Sequence, residues 1–377
     1  MERSFDLAVV GAGIVGLAHA LAAARRGRRV VVFDREAEAI GASVRNFGFV
    51  TVTGQAAGET WRRALRTRDV WDEVAPAAGI GVEQQGLLLA ARRPEAMAVL
   101  EAFARTEMGE ACTLLSPNEA TARMPALRAE ALEGALWSPH ERRVESRTAV
   151  PRLARWLEQA HGVVFHRSTH VRAAEGGRLE TTRGTFRAER IAICPGDERL
   201  ALCDARIRAL GISRVRLHML KVMPAAPVPR LDAAVMSDLS LARYLGYAAL
   251  PEAQALARRL EQEEAAKLAQ GIHLIAVQGA DGGLVVGDSH HHELAPSPFA
   301  ASVVDDLILA ELDAVLDLPA RRVVERWQGT YAHLPHRRAV VDAPEPATRL
   351  VVVTSGTGAS TAFAIGEEVI DELFGRG

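Results

Sequence analysis

The stretch DLAVVGAGIVG, residues 6–16, decides the fold. Residues 6–10 are an apolar run that is typical of a buried parallel strand, and a Gly-x-Gly-x-x-Gly turn follows at once. Residues 17–26 have helical character, and residues 29–33 (RVVVF) are a second apolar run that ends at Asp34. This order of strand, glycine turn, helix, strand and acid predicts a Rossmann-like dinucleotide-binding domain in an α/β protein.

In such a unit, each glycine of the turn has its own role, and so does the acidic residue. Gly11 permits the tight turn, Gly13 lets the backbone approach a pyrophosphate, and Gly16 lets the helix pack closely on the strand. The helix N-terminus stabilises phosphate charge, and Asp34 can accept a hydrogen bond from a ribose hydroxyl. An acid at this position argues against a 2′-phosphate on the ribose. The predicted cofactor contacts of this unit are Gly11, Gly13, Ile14, Val15, Gly16, Asp34 and Arg35.

The segment after the acid favours a flavin over a nicotinamide cofactor. Residues 41–48 (GASVRNFG) form a small-residue loop where an NAD-binding fold usually continues into another helix and strand. Ser43 can donate to a phosphate, and Gly48 allows close approach to a ring. This segment resembles the ASxxNxG segment of the D-amino-acid oxidase superfamily, which includes glycine oxidase and sarcosine oxidase. The resemblance implies FAD as the cofactor, with Ser43, Arg45, Asn46 and Gly48 among its contacts.

Two middle segments resemble the same superfamily in its order. Residues 161–165 and 169–172 correspond to a strand pair that passes the adenine, and this implies a backbone contact from Val171. Residues 190–196 (RIAICPG) correspond to a strand and turn that usually end in ATGA. The resemblance therefore implies a cofactor contact at Gly196.

The C-terminal segment resembles the superfamily more specifically. A strand at residues 350–354 leads into a glycine turn and a helix through Phe374. In the superfamily, the positive end of this helix faces the flavin pyrimidine and stabilises charge on the reduced ring. The contacts implied here are Gly356, Gly358, Ala359, Ser360 and Thr361. Sarcosine oxidases attach FAD through a cysteine in this part of the chain, and no cysteine follows Cys203, so we expect non-covalent FAD.

The resemblance and the strand pattern together predict two interleaved domains. A Rossmann-like FAD-binding domain is expected over residues 1–80, 141–210 and 331–377. A smaller α+β substrate domain, built on a mixed or antiparallel sheet, is expected over residues 81–140 and 211–330. The elements predicted in this second domain are strands at 87–91, 216–223, 241–250 and 284–287 and a charged amphipathic helix at 251–270.

The chemistry implied by the resemblance is amine oxidation. In the superfamily, the flavin takes a hydride from the carbon next to an amine nitrogen, and water hydrolyses the imine. We therefore expect a small primary or secondary amine as substrate and oxygen or another electron acceptor. Such chemistry requires no nucleophile or metal ion, and the sequence shows no obvious catalytic base. Two alternatives stay open: an FAD dehydrogenase that serves a quinone or carrier, and a non-catalytic flavoprotein subunit of a larger amine dehydrogenase.

The segment expected to contact the substrate differs from the matching segment of relatives that act on α-amino acids. Those relatives carry WAGxRP, in which the arginine holds the carboxylate, whereas residues 327–335 here are WQGTYAHLP, with Thr330 and Tyr331 in place of that arginine. Residues 43–48 (SVRNFG) and 216–220 (RLHML) together resemble a subgroup associated with aminophosphonate breakdown, which implies an N-alkylated 2-aminoethylphosphonate as a candidate substrate. The candidate substrate-binding residues are Arg45, His218, Arg243, Tyr244, Tyr331 and His333.

One further position in the sequence bears on the identity of the electron acceptor. Monomeric sarcosine oxidases place a lysine in a GxKxG strand beside flavin N5, where its charge assists oxygen reduction. Residues 283–287 here are GLVVG, with Val285 in place of the lysine. This weakens the prediction of an oxidase relative to a dehydrogenase.

Several other groups have a simpler structural explanation. Residues 290–293 (HHHE) suggest a metal site, but consecutive strand residues point to opposite faces, so we favour a solvent loop and expect no metal. Residues 336–338 are expected to form an exposed turn, and Cys194 is expected to pack as a small apolar residue. The side chains that fit either ordinary packing or a substrate contact are His218, Tyr244 and Tyr331.

The composition is ordinary for a globular protein. The chain has 377 residues and a formal net charge of −2, without the basic excess that nucleic-acid binders usually show. Its three cysteines are widely spaced, which predicts no disulfide framework and favours a reducing, cytoplasmic compartment. Residues 5–24 are mostly apolar, but Arg25 and Arg26 follow the run, whereas a signal peptide carries its charges before it. We therefore expect neither export nor stable membrane insertion.

Overall fold

The computed structural model describes residues 4–199 and 202–375. The strands are β1 Ser4–Val10, β2 Val30–Phe33, β3 Phe49–Val50, β4 Val82–Ala91, β5 Thr113–Leu115, β6 Gly134–Val144, β7 Val164–His166, β8 Val171–Glu175, β9 Arg178–Thr181, β10 Gly184–Ile193, β11 Ser213–Pro224, β12 Ala234–Ser237, β13 Ile275–Gln278, β14 Leu284–Gly287, β15 His291–Glu293, β16 Arg321–His333, β17 Ala339–Glu345 and β18 Thr348–Val353. The helices are α1 Ile14–Arg25, α2 Glu59–Ala77, α3 Pro94–Ala104, α4 Pro117–Arg123, α5 Ser146–His161, α6 Asp204–Ala209, α7 Leu245–Ala248, α8 Ala253–Glu263, α9 Ala265–Ala269, α10 Ser302–Val315 and α11 Gly358–Phe374, with 3-10 helices at Glu107–Gly109 and Asp238–Ala242.

The first sheet contains the predicted strand–turn–helix–strand unit. Its order is β17-β18-β10-β1-β2-β7, and β1 lies parallel to both β10 and β2. The short apolar strands β1 and β2 are buried because α1, α5 and α11 cover one face of the sheet, whereas β8, β9 and α6 contribute to the core on the other face. Helices α1 and α11 pack tightly on each other, since a Cβ atom at Gly366 would lie 2.8 Å from the Ala18 backbone. The glycine turn and the C-terminal turn therefore start two adjacent helices.

One prediction about the first sheet was wrong. Residues 161–165 and 169–172 do not form a strand pair, because α5 continues to His161 and β7 and β8 have different partners. Strand β7 extends the parallel sheet beside β2. Strand β8 instead forms an antiparallel hairpin with β9, and β9 in turn pairs with β10. The two short strands are thus neighbours in sequence but not in the sheet.

The second sheet is mixed. Its order is β15-β11-β14-β13-β12-β4-β6-β3, with β16 also paired to β11 and β5 to β6. Strands β4 and β12 are parallel, and the other pairs are antiparallel. The predicted strands at 87–91, 216–223 and 284–287 are confirmed as parts of β4, β11 and β14. Helices α3 and α8 contribute to the apolar core on one face, and α10 contributes to the core on the other.

In this region, one other prediction was wrong and one was confirmed only in part. Residues 241–250 are not extended: they contain the end of the 3-10 helix Asp238–Ala242, a turn and α7, in which Tyr247 is fully buried against Phe103 with ring centroids 4.5 Å apart. Residues 251–270 form two helices, α8 and α9, that are separated at Glu264. The Glu264 carboxylate accepts a hydrogen bond of 2.7 Å from Arg93, and its backbone leaves the helical conformation.

The two sheets alternate along the chain, as interleaved domains require. Strands of the first sheet fall within residues 4–33, 164–193 and 339–353, and those of the second within 49–50, 82–144 and 213–333. The exact domain boundaries stay a prediction. Among the described residues, no helix is long and apolar enough to cross a membrane.

Candidate active site

A cavity of about 460 Å³ lies where the two sheets meet. One side is formed by the start of α1, the segment 42–51 and the C-terminal turn 355–360. The other side is formed by residues of the second sheet, above all 329–333 at the end of β16. The cavity therefore joins the predicted cofactor end to the predicted substrate end.

The glycine turn is tied to both segments that follow it. The backbone N–H of Ile14 donates to the Ser43 hydroxyl at 2.9 Å, and the N–H of Ala12 donates to the Asp34 carboxylate at 2.6 Å. A Cβ atom at Gly13 would lie 2.9 Å from the Ser43 hydroxyl oxygen. The absence of a side chain at Gly13 thus allows the 41–48 segment to approach the start of α1.

Gly11 and Gly16 have packing tasks behind the cavity wall. Gly11 has φ +105°, and a Cβ atom there would lie 2.3 Å from the carbonyl oxygen of Cys194. A Cβ atom at Gly16 would lie 1.8 Å from the carbonyl oxygen of Gly11. Both positions bring backbone segments closer than any side chain permits, which agrees with the predicted turn and helix packing.

The C-terminal turn is fixed from two sides. The indole N–H of Trp71 donates to the carbonyl oxygen of Ala359 at 3.0 Å, and the backbone N–H of Thr51 donates to the Ser360 hydroxyl at 2.8 Å. Helices α1 and α11 therefore present two N-termini to one cavity. Helix N-termini attract anions, so the start of α1 fits the phosphates of a dinucleotide and the start of α11 fits the negative charge of a reduced flavin ring.

A smaller cavity of about 260 Å³ lies beside the acid of the dinucleotide-binding unit. Its wall includes Ala12, Asp34 and Glu36. The two Asp34 oxygens already accept from the N–H groups of Ala12 and Glu36, at 2.6 and 2.9 Å. Each carboxylate oxygen can accept further bonds, so Asp34 keeps the capacity to bind a ribose hydroxyl.

The structure brings most predicted cofactor residues to these walls. Those that line the main cavity are Ile14, Val15, Ser43, Arg45, Asn46, Gly48, Gly196, Gly356, Gly358, Ala359 and Ser360. Those that line neither cavity are Gly11, Gly13, Gly16, Arg35, Val171 and Thr361. Arg35 is instead bonded to Glu198 at 3.0 Å on the surface, and Val171 is buried in the core of the first sheet.

Five of the six predicted substrate residues line the same cavity, namely Arg45, Arg243, Tyr244, Tyr331 and His333. The Arg243 guanidinium donates to the Tyr331 hydroxyl at 3.5 Å. Burial raises the pKa of the Tyr331 hydroxyl to about 12, and burial lowers the pKa of His333 to about 4. At neutral pH, Tyr331 is therefore a donor and His333 is uncharged.

His218 does not join the other substrate candidates. It is buried in β11, where its Nε2 lies 2.7 Å from the Arg216 guanidinium and its Nδ1 lies 3.7 Å from Asp305 of α10. It lines a separate, more open cleft beside Arg326 and Trp327. Its contacts are those of a packed histidine that links the sheet to α10.

The cavity also contains three residues that the sequence analysis did not place in the site: His273, Asp288 and His290. The predicted solvent loop at 290–293 is wrong, because residues 291–293 form β15 beside β11 and the His290 side chain is buried. A run of polar residues directly after the apolar strand β14 is the signal that could have indicated Asp288 and His290. The expectation that consecutive histidines do not act together is met, since His290 faces Asp288 whereas His291 faces His218.

Two simpler predictions are confirmed. Cys194 is buried, and burial raises the pKa of its thiol, as expected for a small apolar residue rather than a reactive thiol. Residues 336–338 lie in a turn, where His336 and Arg337 are exposed. Arg338 is half-buried and also lines the cavity, so it adds a third arginine to those predicted.

Comparison with known proteins identifies the family. Residues 6–372 match the family described as FAD dependent oxidoreductase, or DAO. The chain belongs to this family. FAD is therefore the cofactor of the oxidoreductase, in agreement with the two helix N-termini and the acid at its cavities.

Individual relatives agree with this assignment. A glycine oxidase of Geobacillus kaustophilus (strain HTA426) is 30% identical to the oxidoreductase over 251 residues, which are 63% of this chain and 66%, slightly less than two thirds, of that relative. The crystal structure of glycine oxidase from Geobacillus kaustophilus has a TM-score of 0.75 at 20% identity and covers 98% of this chain and 95% of that one. L-proline dehydrogenase from P. horikoshii has a TM-score of 0.78 at 18% identity, over 99% and 94% of the two chains. These structures confirm the mixed α/β fold.

Proposed function

We propose that this FAD-dependent oxidoreductase oxidises a small primary or secondary amine that carries an anionic group. The observation that carries the proposal is the presence of three arginines, Arg45, Arg243 and Arg338, among the residues that line the cavity. An aminophosphonate, such as an N-alkylated 2-aminoethylphosphonate, is the substrate class that we favour. Three arginines suit a dianion better than the single charge of a carboxylate, for which one bidentate arginine is sufficient.

The residues of the chain bind and orient, and the cofactor supplies the redox chemistry. When bound, FAD accepts the hydride from the carbon next to the amine nitrogen. Ser43 and the start of α1 would hold its phosphates, the start of α11 would face the flavin ring, and Asp34 would hold a ribose. Arg243 and Tyr331 would hold the anionic end of the substrate with charged and neutral hydrogen bonds. Fixing both ends of a small molecule orients its C–H bond, which is a large part of catalysis.

The absence of an arginine at position 330 does not leave the cavity without a charged anchor. Thr330 lines the wall at that point, and the Arg243 guanidinium reaches the neighbouring Tyr331 from the segment after the 3-10 helix Asp238–Ala242. An arginine that approaches from a different element supports a different substrate geometry from that of α-amino-acid oxidising relatives.

A screen of flavin reduction tests the proposal. The purified holoenzyme is mixed anaerobically with amines, aminophosphonates and amino acids, and bleaching of the flavin absorbance is recorded. We expect an amine with an anionic end to reduce the flavin, and an N-alkylated aminophosphonate to be the most efficient. If no amine of any class reduced the flavin, the proposal would be wrong, and a non-catalytic flavoprotein would replace it.

A dehydrogenase is the second candidate for the reoxidation step. Val285, which stands in place of the lysine of sarcosine oxidases, is an apolar side chain at 8% exposure in β14. Without that charge, reduction of oxygen has less electrostatic support. Reduced enzyme is mixed with oxygen or with a soluble quinone; much faster reoxidation by the quinone would favour the dehydrogenase.

A further inference from the structure

Three buried polar side chains form a cluster in the wall of the main cavity: His273, Asp288 and His290. One ligand-capable atom from each lies within 4.8 Å of the other two. The Nε2 atom of His273 lies 3.1 Å from Asp288 Oδ1, and the Nε2 atom of His290 lies 3.5 Å from Asp288 Oδ2. Their side chains are 3%, 7% and 6% exposed, so bulk water does not compensate for unmade contacts.

The second ring nitrogen of His290 fixes the tautomer. Its Nδ1 lies 3.0 Å from the carbonyl oxygen of Gly271, which can only accept, so we assign the proton to Nδ1. Burial lowers the pKa of His290 well below its ordinary value, against the attraction of Asp288, so the ring is neutral. The Nε2 atom then carries a lone pair that faces a carboxylate oxygen. Two acceptors that face each other require a donor between them.

Asp288 shows the same need. The His273 contact is not aligned as a hydrogen bond, and Asp288 Oδ1 has no donor among the described residues. Burial alone would raise the pKa of Asp288, but the neighbouring imidazoles and Arg243 outweigh it, and the pKa lies below its ordinary value. The other ionisable groups that face this carboxylate are Tyr244 and Tyr331, whose pKa values are raised by burial. At neutral pH, Asp288 is therefore a buried carboxylate whose Oδ1 atom accepts no aligned hydrogen bond from the described residues.

We infer that the His273–Asp288–His290 cluster is the subsite for the ammonium group of the substrate and accepts its proton. This inference rests on the proposed function and deepens it. An ammonium donates one N–H to Asp288 Oδ1 or Oδ2 and another to His290 Nε2, which satisfies both acceptors. Arg243, which lies beside the cluster, then faces the anionic end of the same molecule. The substrate residues predicted from the sequence were arginines, histidines and tyrosines, and Asp288 adds a negative charge that none of them carries.

The charge of the whole site favours an ammonium over a metal ion. Three arginines line the cavity together with the ionised Asp288 carboxylate, so an ammonium that arrives on the same molecule as a phosphonate dianion adds no net positive charge to the site. A divalent cation at the same three ligands would add two uncompensated charges beside Arg243. The substrate ammonium is therefore the occupant that we propose, and metal binding is an outcome of the test.

The proton step is balanced within the cluster. The N–H bond of the ammonium breaks, its electron pair stays on nitrogen, and the proton forms a new bond to His290 Nε2. The Asp288 carboxylate stabilises the imidazolium that results, at 3.5 Å. The free lone pair on the amine then supports the departure of hydride from the adjacent carbon.

Pairs of ligands that differ only in the amine test the subsite without catalysis. Binding of 2-aminoethylphosphonate and of propylphosphonate to the oxidised holoenzyme is measured by the change in flavin absorbance, and glycine is compared with propionate in the same way. We expect the ammonium ligand of at least one pair to bind more tightly to the wild type. Asp288→Asn should weaken that ligand by about ten- to a hundredfold and leave its isostere unchanged.

Further variants separate this role from a structural one. His290→Asn should weaken the same ligand and also shift the pH dependence of flavin reduction. Asp281→Asn, a matched change in an exposed turn, should alter neither. FAD content and melting temperature show whether a variant has folded. If Asp288→Asn fails to fold, His290→Asn serves as the test.

Three results would overturn the inference. These are equal binding of the amine and its isostere in both pairs, unchanged discrimination in both cluster variants, and stoichiometric binding of added Zn²⁺ or Co²⁺ that the variants abolish. Reduction of the flavin by any amine in those cases would still support the proposed function. The failure of the subsite is thus distinguishable from the failure of the enzyme.

Discussion

The hydroxyl of Ser43 accepts a hydrogen bond from the backbone N–H of Ile14 at 2.9 Å. This bond joins the loop that follows the acid to the first residue of α1, across 29 positions of sequence. It places a side-chain hydroxyl at the positive end of a helix, where the phosphates of a dinucleotide are stabilised. The contact depends on Gly13, because any side chain there would point at Ser43.

Gly13→Val should abolish the flavin content of the purified protein. The added Cβ would lie 2.9 Å from the Ser43 hydroxyl, and the two γ-carbons would extend further into the space between turn and loop. Flavin is measured from the ratio of absorbance at the flavin band to that of protein. Gly41→Val is the matched control, since a Cβ atom at Gly41 meets no atom within 4 Å. Normal flavin content in Gly13→Val would contradict the assigned pyrophosphate site.

FAD should be bound without a covalent link. None of the three cysteines, which all lie in the described part of the chain, is among the residues that line the main cavity. Acid precipitation of the holoenzyme should therefore leave the flavin in the supernatant. A yellow pellet after washing would show covalent attachment and refute this prediction.

The cofactor end was predictable from the sequence because its residues are close in sequence. Gly11, Gly13 and Asp34 belong to one strand–helix–strand unit, whose spacing is set by local geometry. The proton-accepting cluster was not predictable in this way. His273 precedes β13 and Asp288 follows β14, and only the antiparallel pairing of these two strands brings the side chains together.

The residues at the substrate end of the cavity were predicted only in part, because they are far apart in the sequence. Tyr331 and His333 reach the cavity from the end of β16, and Arg243 reaches it from the segment after the 3-10 helix; their residue types alone suggested them. His218 has the same residue type but points toward α10, because successive residues of β11 face opposite sides of the sheet. The sequence can suggest a polar strand residue as a site candidate. The face of the sheet that its side chain occupies depends on the register of the strand.

Arg243→Gln should weaken the binding of anionic amines. Loss of one charged hydrogen-bond donor usually costs about 1.5–3 kcal/mol, so the dissociation constant should rise by about ten- to a hundredfold. The dissociation constant of an amine without an anionic group, such as propylamine, should change much less. Anaerobic titration of the flavin absorbance gives both constants. Arg258→Gln, on the exposed face of α8, is the matched control. Equal losses for both amines would contradict an anion-binding role.

Acid should destabilise the protein through His19. Burial lowers the pKa of this histidine from 6.5 to about 4, and its Nε2 has no partner among the described residues. The unfolded chain binds the proton between these values and the folded chain does not, so the free energy of unfolding falls as pH decreases from 6.5 to 4. The full effect is about 3 kcal/mol.

Urea denaturation at several pH values checks the contribution of His19. His19→Gln should flatten this part of the pH profile, whereas His170→Gln, at an exposed site, should leave it unchanged. If the profile of His19→Gln were as steep as that of the wild type, other buried groups would be responsible.

The rate of flavin reduction should rise with pH and then level off. Hydride leaves from a carbon beside nitrogen only when the nitrogen lone pair can stabilise the developing positive charge, and an ammonium has none. The rate should therefore follow one ionisation of the enzyme–substrate complex, in which the amine shares its proton with the cluster of His273, Asp288 and His290. Below that ionisation, the rate should fall about tenfold per pH unit.

Other histidines should not control this profile. Burial lowers the pKa of His333 to about 4, well below the range in which an amine complex titrates, and His218 does not line the main cavity. His333→Asn and His218→Asn should lower the rate or affinity at most, and the ionisation should persist in both. Stopped-flow flavin reduction against pH is the measurement, with wild type and both variants at saturating amine. A pH-independent rate in either variant would make that histidine the base, and the assignment of the proton to the His290–Asp288 pair would then be wrong.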